Sequence, residues 1–160
     1  MPKLYIIAGC NGAGKTTASY TVLPEMLGCK EFVNADEFNP EGVAIEAGRL
    51  MLQRMDDLLS EGADFAFETT LATRSYVKFI ERAHAKGYFV TLLYFWLPTP
   101  EQAIERVATR VSKGGHNIPS DVIRRRYANG LRNLTMLYTP VCEVVFQKVC
   151  LGRSLQILQI

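Results

Sequence analysis

Short apolar runs alternate along this chain with longer stretches whose apolar residues recur at helical spacing. The first run, KLYIIA from Lys3 to Ala8, is rich in β-branched and aromatic residues and ends at glycine, which predicts a strand. A helix is expected from near Gly14 to about Tyr20, before Pro24, and Glu31 to Ala35 (EFVNA) predicts a second, weaker strand. Asn39-Pro40 joins an N-cap residue to a proline suited to the first helical position. Beyond it Ala44, Ala47, Met51, Met55 and Leu58 keep to one helical face until Gly62. Asp64 to Glu68 (DFAFE) predicts a third strand, and Thr73 a cap for a helix running to Lys86 and stopped by Gly87. YFVTLLYFWL, Tyr88 to Leu97, is apolar on both faces, as a strand covered by helices on two sides must be. Thr99-Pro100-Glu101-Gln102 combines a capping box with a first-turn proline and opens the next helix. A polar, glycine-bearing loop from Ser112 to Pro119, a helix from about Asp121 to Tyr138 and a fifth strand from Val144 to Leu151 complete the pattern.

Strands alternating with helices predict a parallel sheet with helices on both faces, in one domain spanning residues 1–160. Ligands of such sheets bind beyond the carboxyl ends of the strands. Here those ends carry GCNGAGKT after the first strand, Asp36 after the second and Glu68-Thr69-Thr70 after the third.

Composition narrows the partners. The net charge of +2, from 18 basic and 16 acidic side chains, implies neither nucleic acid nor a membrane surface as an obligatory partner. The longest apolar run is about half of the roughly 20 residues that a spanning helix needs. Four cysteines, Cys10, Cys29, Cys142 and Cys150, form no CxxC pair and have no zinc-ligand spacing. Without a secretory segment before them, reduced thiols and a cytoplasmic location are expected.

GCNGAGKT fits G-x-x-x-x-G-K-[ST] at every fixed position, between a strand and a helix. Its glycines let backbone N–H groups turn inward around an anion, and the following helix adds its positive end. Gly9, Asn11, Gly12, Ala13, Gly14, Lys15, Thr16 and Thr17 are the expected nucleotide-binding residues. Lys15 would reach the β- and γ-phosphates of ATP, and the Thr16 hydroxyl would ligate Mg²⁺. No N-K-x-D segment for guanine is present, nor the signature of transporter ATPases. Asp36 favours kinase chemistry, because a carboxylate delivered beside the phosphate loop can deprotonate a substrate hydroxyl. An outer-sphere Mg²⁺ contact or the capping of a turn are its alternative duties. Glu68, with Thr69 and Thr70, suits a hydrogen-bonding site for a polyol or sugar. Arg106 and Arg110 share one helix face, and Arg124, Arg125 and Arg126 open the next helix, so that a small helical lid over about residues 106–126 is expected. At least two of these five arginines are expected to be plain solvated side chains.

The segments GCNGAGKTT, FVNADEFNPE, FAFETTLATRSY and GGHNIPSDVIRRRYANGLRNL together resemble the zeta-toxin-like kinases, over about residues 3–138. These are small bacterial P-loop proteins related to the toxin that phosphorylates UDP-N-acetylglucosamine. The resemblance implies a P-loop NTPase fold, a three-layer α/β/α sandwich with a mostly parallel, about five-stranded sheet and a small helical lid. It implies an ATP- and Mg²⁺-dependent kinase acting on a hydroxyl of a sugar-like small molecule. Matched by position, Lys15 and Thr16 would bind phosphate and Mg²⁺, Asp36 would be the catalytic base, Glu68 and Thr69 would lie in the substrate pocket, and Arg110 and Arg126 would be the lid arginines. A toxin of this kind would have an antitoxin protein as partner, on which the sequence is silent. The chain departs from the family in its short segment between Asp36 and Pro40 and in its ending after Val144. A kinase of nucleic-acid 5′-hydroxyls and an ATP-binding regulatory module without transfer activity are the competing readings.

Overall fold

The computed structural model describes residues 1–35, 44–151 and 154–159. Its strands are β1 (Lys3–Gly9), β2 (Glu31–Val33), β3 (Phe65–Thr69), β4 (Phe89–Trp96), β5 (Val144–Leu151) and β6 (Ser154–Gln159). Its helices are α1 (Lys15–Met26), α2 (Ala44–Glu61), α3 (Tyr76–Ala85), α4 (Pro100–Ser112) and α5 (Ser120–Asn133). All strands join one sheet in the order β2-β3-β1-β4-β5-β6. The first five run parallel, and β6 returns antiparallel along β5. The five parallel strands are those the apolar runs predict; β6 was not expected.

Alternation along β1 builds the layers. Leu4, Ile6 and Ala8 face one core with Met51, Met55 and Leu58 of α2 and Phe79, Ile80 and Ala83 of α3. Tyr5 and Ile7 face the other core with Ala18 and Leu23 of α1, Ala103 and Val107 of α4 and Ile123 of α5. Leu4, Ile6, Phe65 and Phe67 are fully enclosed, and burying a side chain of this size contributes about 1.5–3 kcal/mol.

Three boundaries differ from expectation. α1 continues through Pro24 to Met26, because burial of Leu23, 1% exposed, outweighs the backbone bond that proline removes. α3 starts after Ser75 rather than Thr73; the Thr73 hydroxyl instead accepts the Ser75 N–H at 3.2 Å in the preceding turn. α5 ends at Asn133 and passes into a wider turn over Leu134–Tyr138, whose Leu134 and Tyr138 are buried. The Asn39-Pro40 cap lies outside the described residues. Thr99 does cap α4, its hydroxyl accepting the Gln102 N–H at 3.3 Å ahead of Pro100. Among the described residues, no helix is long and apolar enough to cross a membrane.

Candidate functional site: a phosphate loop flanked by four arginines

β1 delivers the chain to Gly9 at the carboxyl edge of the sheet, and α1 leaves from Gly14, which is left-handed at φ 85°. Gly9 is required by crowding as well as by its φ of 148°: a Cβ there would stand 2.4 Å from the Phe95 carbonyl oxygen of β4. At Gly12 a Cβ would lie 3.0 Å from the Ala103 carbonyl oxygen and 3.1 Å from Arg106 Cβ. A bare backbone at this point lets α4 rest against the loop. The Ala13 N–H donates to the Cys10 carbonyl at 3.2 Å, closing the turn. Lys15 lies back across it, 6% exposed, with Nζ donating to the same carbonyl at 3.1 Å.

The β1–β3 register sets Glu68 opposite Ile7 and Thr69 opposite Ala8, which places the end of β3 beside the loop. Thr16 donates its hydroxyl to Glu68 Oε2 at 2.8 Å, and Lys15 Nζ stands 3.7 Å from Oε1. Asn34, at the end of β2, donates its amide to Oε2 at 3.5 Å. The Glu68 carboxylate therefore turns toward the phosphate loop rather than into open space. Thr69 and Thr70 fold the backbone back, their hydroxyls accepting the Leu71 and Ala72 N–H groups at 3.0 and 3.4 Å. Leu71 sits at φ 58°, a left-handed conformation that a leucine adopts only when its surroundings impose it. Complete burial of its side chain does so, helped by Asn133 of α5, whose amide donates to the Leu71 carbonyl at 2.7 Å.

Between these parts opens a cavity of about 760 Å³, lined on one side by the phosphate loop and by Arg106, Arg110, Arg125 and Arg126. Arg126 reaches Asn11 Oδ1 at 3.5 Å, and Arg106 reaches the Gly12 carbonyl at 3.5 Å. Arg124 alone of the five turns away, pairing with Glu101 at the surface. Periodicity expects at least two solvated arginines; four line the cleft, although Arg106, Arg110 and Arg125 remain exposed at its rim.

Of the residues singled out in the sequence, Asn11, Gly12, Gly14, Lys15, Thr16, Thr17, Glu68, Thr69, Arg110 and Arg126 border this one cavity. Gly9 and Ala13 shape it from within the loop. Asp36 lies outside the described residues. Thr70, Arg106 and Arg125, also singled out in the sequence, line the cavity too, as do Asn34, Met51, Tyr76 and Asn129. Asn34 and Tyr76 stand in the quoted segments FVNADEFNPE and FAFETTLATRSY, but nothing in their spacing distinguishes a lining residue from a neighbour.

A parallel sheet with this strand order, a glycine loop between β1 and α1 and arginines set against that loop define a P-loop kinase-type protein. The zeta toxin family model matches residues 21–149, and the chain belongs to that family. An uncharacterized protein of Haemophilus influenzae is 28% identical over 129 residues, covering 78% of this chain and 92% of its own. Among solved structures, one of the PezAT chromosomal toxin-antitoxin system of Streptococcus pneumoniae superposes with a TM-score of 0.73 at 22% identity, over 97% of this chain and 70% of that one. The complex of AvrRxo1-ORF1 and -ORF2 with ATP gives a TM-score of 0.76 at 18% identity, over 100% of this chain and 57% of that one. The chain thus spans little more than half of the AvrRxo1 chain it resembles. Shikimate kinase of Bacteroides thetaiotaomicron shares the fold at a TM-score of 0.53 and 15% identity, over 91% of this chain and 86% of that one.

Proposed function

We propose that this protein is an ATP- and Mg²⁺-dependent kinase that transfers the γ-phosphoryl group to a hydroxyl of a sugar-like small molecule. The observation that carries the reading is the junction of Lys15, Thr16 and Glu68 in a cleft that four arginines also line. Lys15 and the loop N–H groups would hold the phosphates, and the N-terminus of α1 adds its positive end. The residues present suit Mg²⁺, which favours hard oxygen donors and relies on substrate phosphates more than on a protein cage. Thr16 offers a hydroxyl that Glu68 orients, and no cluster of three His, Cys, Asp or Glu competes for the ion among the described residues. When bound, the ion would neutralise phosphate charge.

Asp36, which follows β2 in the sequence, is the proposed base that takes the acceptor proton. Arg110 and Arg126 are proposed to stabilise the transferring group. Thr69 is proposed to bind the acceptor. UDP-N-acetylglucosamine, which the family resemblance brings forward, is the first acceptor to test, and an antitoxin is the proposed protein partner, in keeping with the toxin-antitoxin system among the structural relatives. The cytoplasm is the proposed compartment.

The experiment is a metabolite-extract screen with γ-labelled ATP, with Lys15→Ala as control. Label should pass to a small molecule, and Lys15→Ala should lower the rate by at least about 10²-fold, as loss of a preorganised electrostatic group does. Nucleotide binding without transfer to metabolites, nucleotide sugars or oligonucleotides would reject the kinase in favour of a binding module. Salt-sensitive transfer to oligonucleotide ends would favour a nucleic-acid kinase.

A further inference from the structure

Thr69, Thr70, Ala72, Thr73 and Tyr76, at the turn between β3 and α3, line the cavity. That turn is strained: Leu71 at its centre is the one non-glycine with a positive φ among the described residues. Its local bonds are short in reach, the Thr69, Thr70 and Thr73 hydroxyls each accepting the N–H two residues on. α3 then opens after Ser75, whose side chain does not cap it. Two longer ties reach the turn from the end of α5 and the wider turn that follows it. The amide of Asn133, 4% exposed, donates to the Leu71 carbonyl at 2.7 Å across 62 positions of the chain. The hydroxyl of Tyr138, fully buried, donates to the Thr73 carbonyl at 2.6 Å across 65 positions. From these ties we infer that Asn133 and Tyr138 are positioning residues for the reaction, fixing the turn from Thr69 to Tyr76 in the shape that the acceptor meets. This deepens the kinase reading above and rests on it, in particular on Thr69 as a contact of the acceptor.

Packing alone does not account for Tyr138. Its ring belongs to the core that also holds Phe67, Phe79 and Leu134, where a phenylalanine would fill the space with no hydroxyl to desolvate. The hydroxyl is satisfied by the carbonyl of a residue that lines the cavity. The wide turn Leu134–Tyr138 changes the register of the chain after α5, and interruptions of this kind recur at functional sites. Both ties end on backbone carbonyls, so they set the path of the turn whatever side chains it bears. A slack turn would let Thr69, Thr70 and the Tyr76 ring, which packs on Phe67 with centroids 4.8 Å apart, leave their places. A misplacement of about 1 Å near a reacting centre can cost on the order of 10²-fold in rate. The phosphate loop is anchored separately, through the Cys10 carbonyl and Glu68, so ATP binding should change little.

The test compares Tyr138→Phe with Tyr88→Phe on the full chain. Tyr88 is the matched control, a buried phenol whose hydroxyl donates to the Ala63 carbonyl at 2.9 Å, ahead of β3 and outside the cavity lining. The first readout needs no acceptor. In nucleotide-free protein the Leu71, Ala72 and Ser75 amides should exchange at least about tenfold faster in Tyr138→Phe than in the parent or in Tyr88→Phe. The second is steady-state transfer from γ-labelled ATP to UDP-N-acetylglucosamine, or to the extract fraction that takes the label. Tyr138→Phe should lower kcat/KM for the acceptor about ten- to a hundredfold and leave the KM for ATP within about twofold. Tyr88→Phe should leave both unchanged, and Asn133→Ala should repeat the Tyr138→Phe pattern at the other tie. Unchanged exchange, faster exchange with unchanged kinetics, an equal fall in Tyr88→Phe, or a loss shared by the acceptor and ATP parameters overturns the inference. A parent protein that labels nothing overturns the kinase reading instead, and exchange alone then decides whether Tyr138 holds the turn.

Discussion

Glu68 holds Lys15 and Thr16 at once, so its charge and its shape can be separated by substitution. Glu68→Gln retains an oxygen for the Thr16 hydroxyl but removes a carboxylate charge that stands 3.7 Å from the nearly buried Lys15 ammonium. The nucleotide-free protein should lose on the order of 1–3 kcal/mol of stability, seen as a lower denaturant midpoint. Mg²⁺-ATP should restore most of that loss, because its phosphates replace the missing charge, whereas the Mg²⁺ needed for half-maximal turnover should rise. An equal loss of stability with and without nucleotide would assign Glu68 a purely structural place. Sequence spacing brings Glu68 to the right edge of the sheet but cannot aim it. The direction of its carboxylate follows from the parallel pairing of β3 with β1, a contact between residues about sixty positions apart.

At the scale of elements, α5 is the piece that turns separate strand ends into one site. Gly130 lets it lie against the turn after β3; a Cβ there would stand 2.6 Å from the Thr70 carbonyl oxygen. Gly130→Ala should therefore cost about 1–3 kcal/mol through overpacking and also displace Arg126 and Asn129, lowering kcat/KM. A variant as stable and active as the parent would show that α5 tilts freely. Thr99→Ala, by contrast, removes the cap of α4 at a point away from the cavity. It should cost about 1 kcal/mol and leave the KM for ATP unchanged, a split that denaturation and steady-state kinetics would resolve. The strands and most helices were legible because burial on two faces writes continuous apolar runs and caps write local signals. The extension of α1 past Pro24 was not, since the burial of Leu23 that sustains it is a tertiary fact. Gly130 was equally silent: in sequence it is a helix-weakening glycine, and only the approach of Thr70 explains it.

The molecule as a whole carries several thiols and phenols whose burial favours their neutral forms. Burial pushes Cys29 up to about 11, Cys142 up to about 12 and Tyr138 up to about 12, from ordinary values of 9.0 for the thiols and 10.0 for the phenol, and raises Tyr94 as well. The unfolded chain ionises these groups first, so between the ordinary and the raised values the folded state holds more protons and loses ground as pH rises. Stability should be insensitive to these groups below about pH 9 and fall steadily from there toward about pH 12. Urea midpoints across that window check this, and a midpoint that holds level would contradict it.

α5 touches both sides of the central strand. The Tyr127 hydroxyl donates to the Leu97 carbonyl beyond β4, and the Asn133 amide donates to the Leu71 carbonyl beyond β3. One rigid element thus bears Arg126 for the donor and rests on the threonine turn proposed for the acceptor. Whatever an occupant of one half does to the tilt of that helix is felt by the other half, and free energy allows no one-way version of such an effect. If an ATP analogue tightens acceptor binding by some factor, within the roughly 5–150-fold typical of coupled sites, the acceptor must tighten the analogue by that same factor.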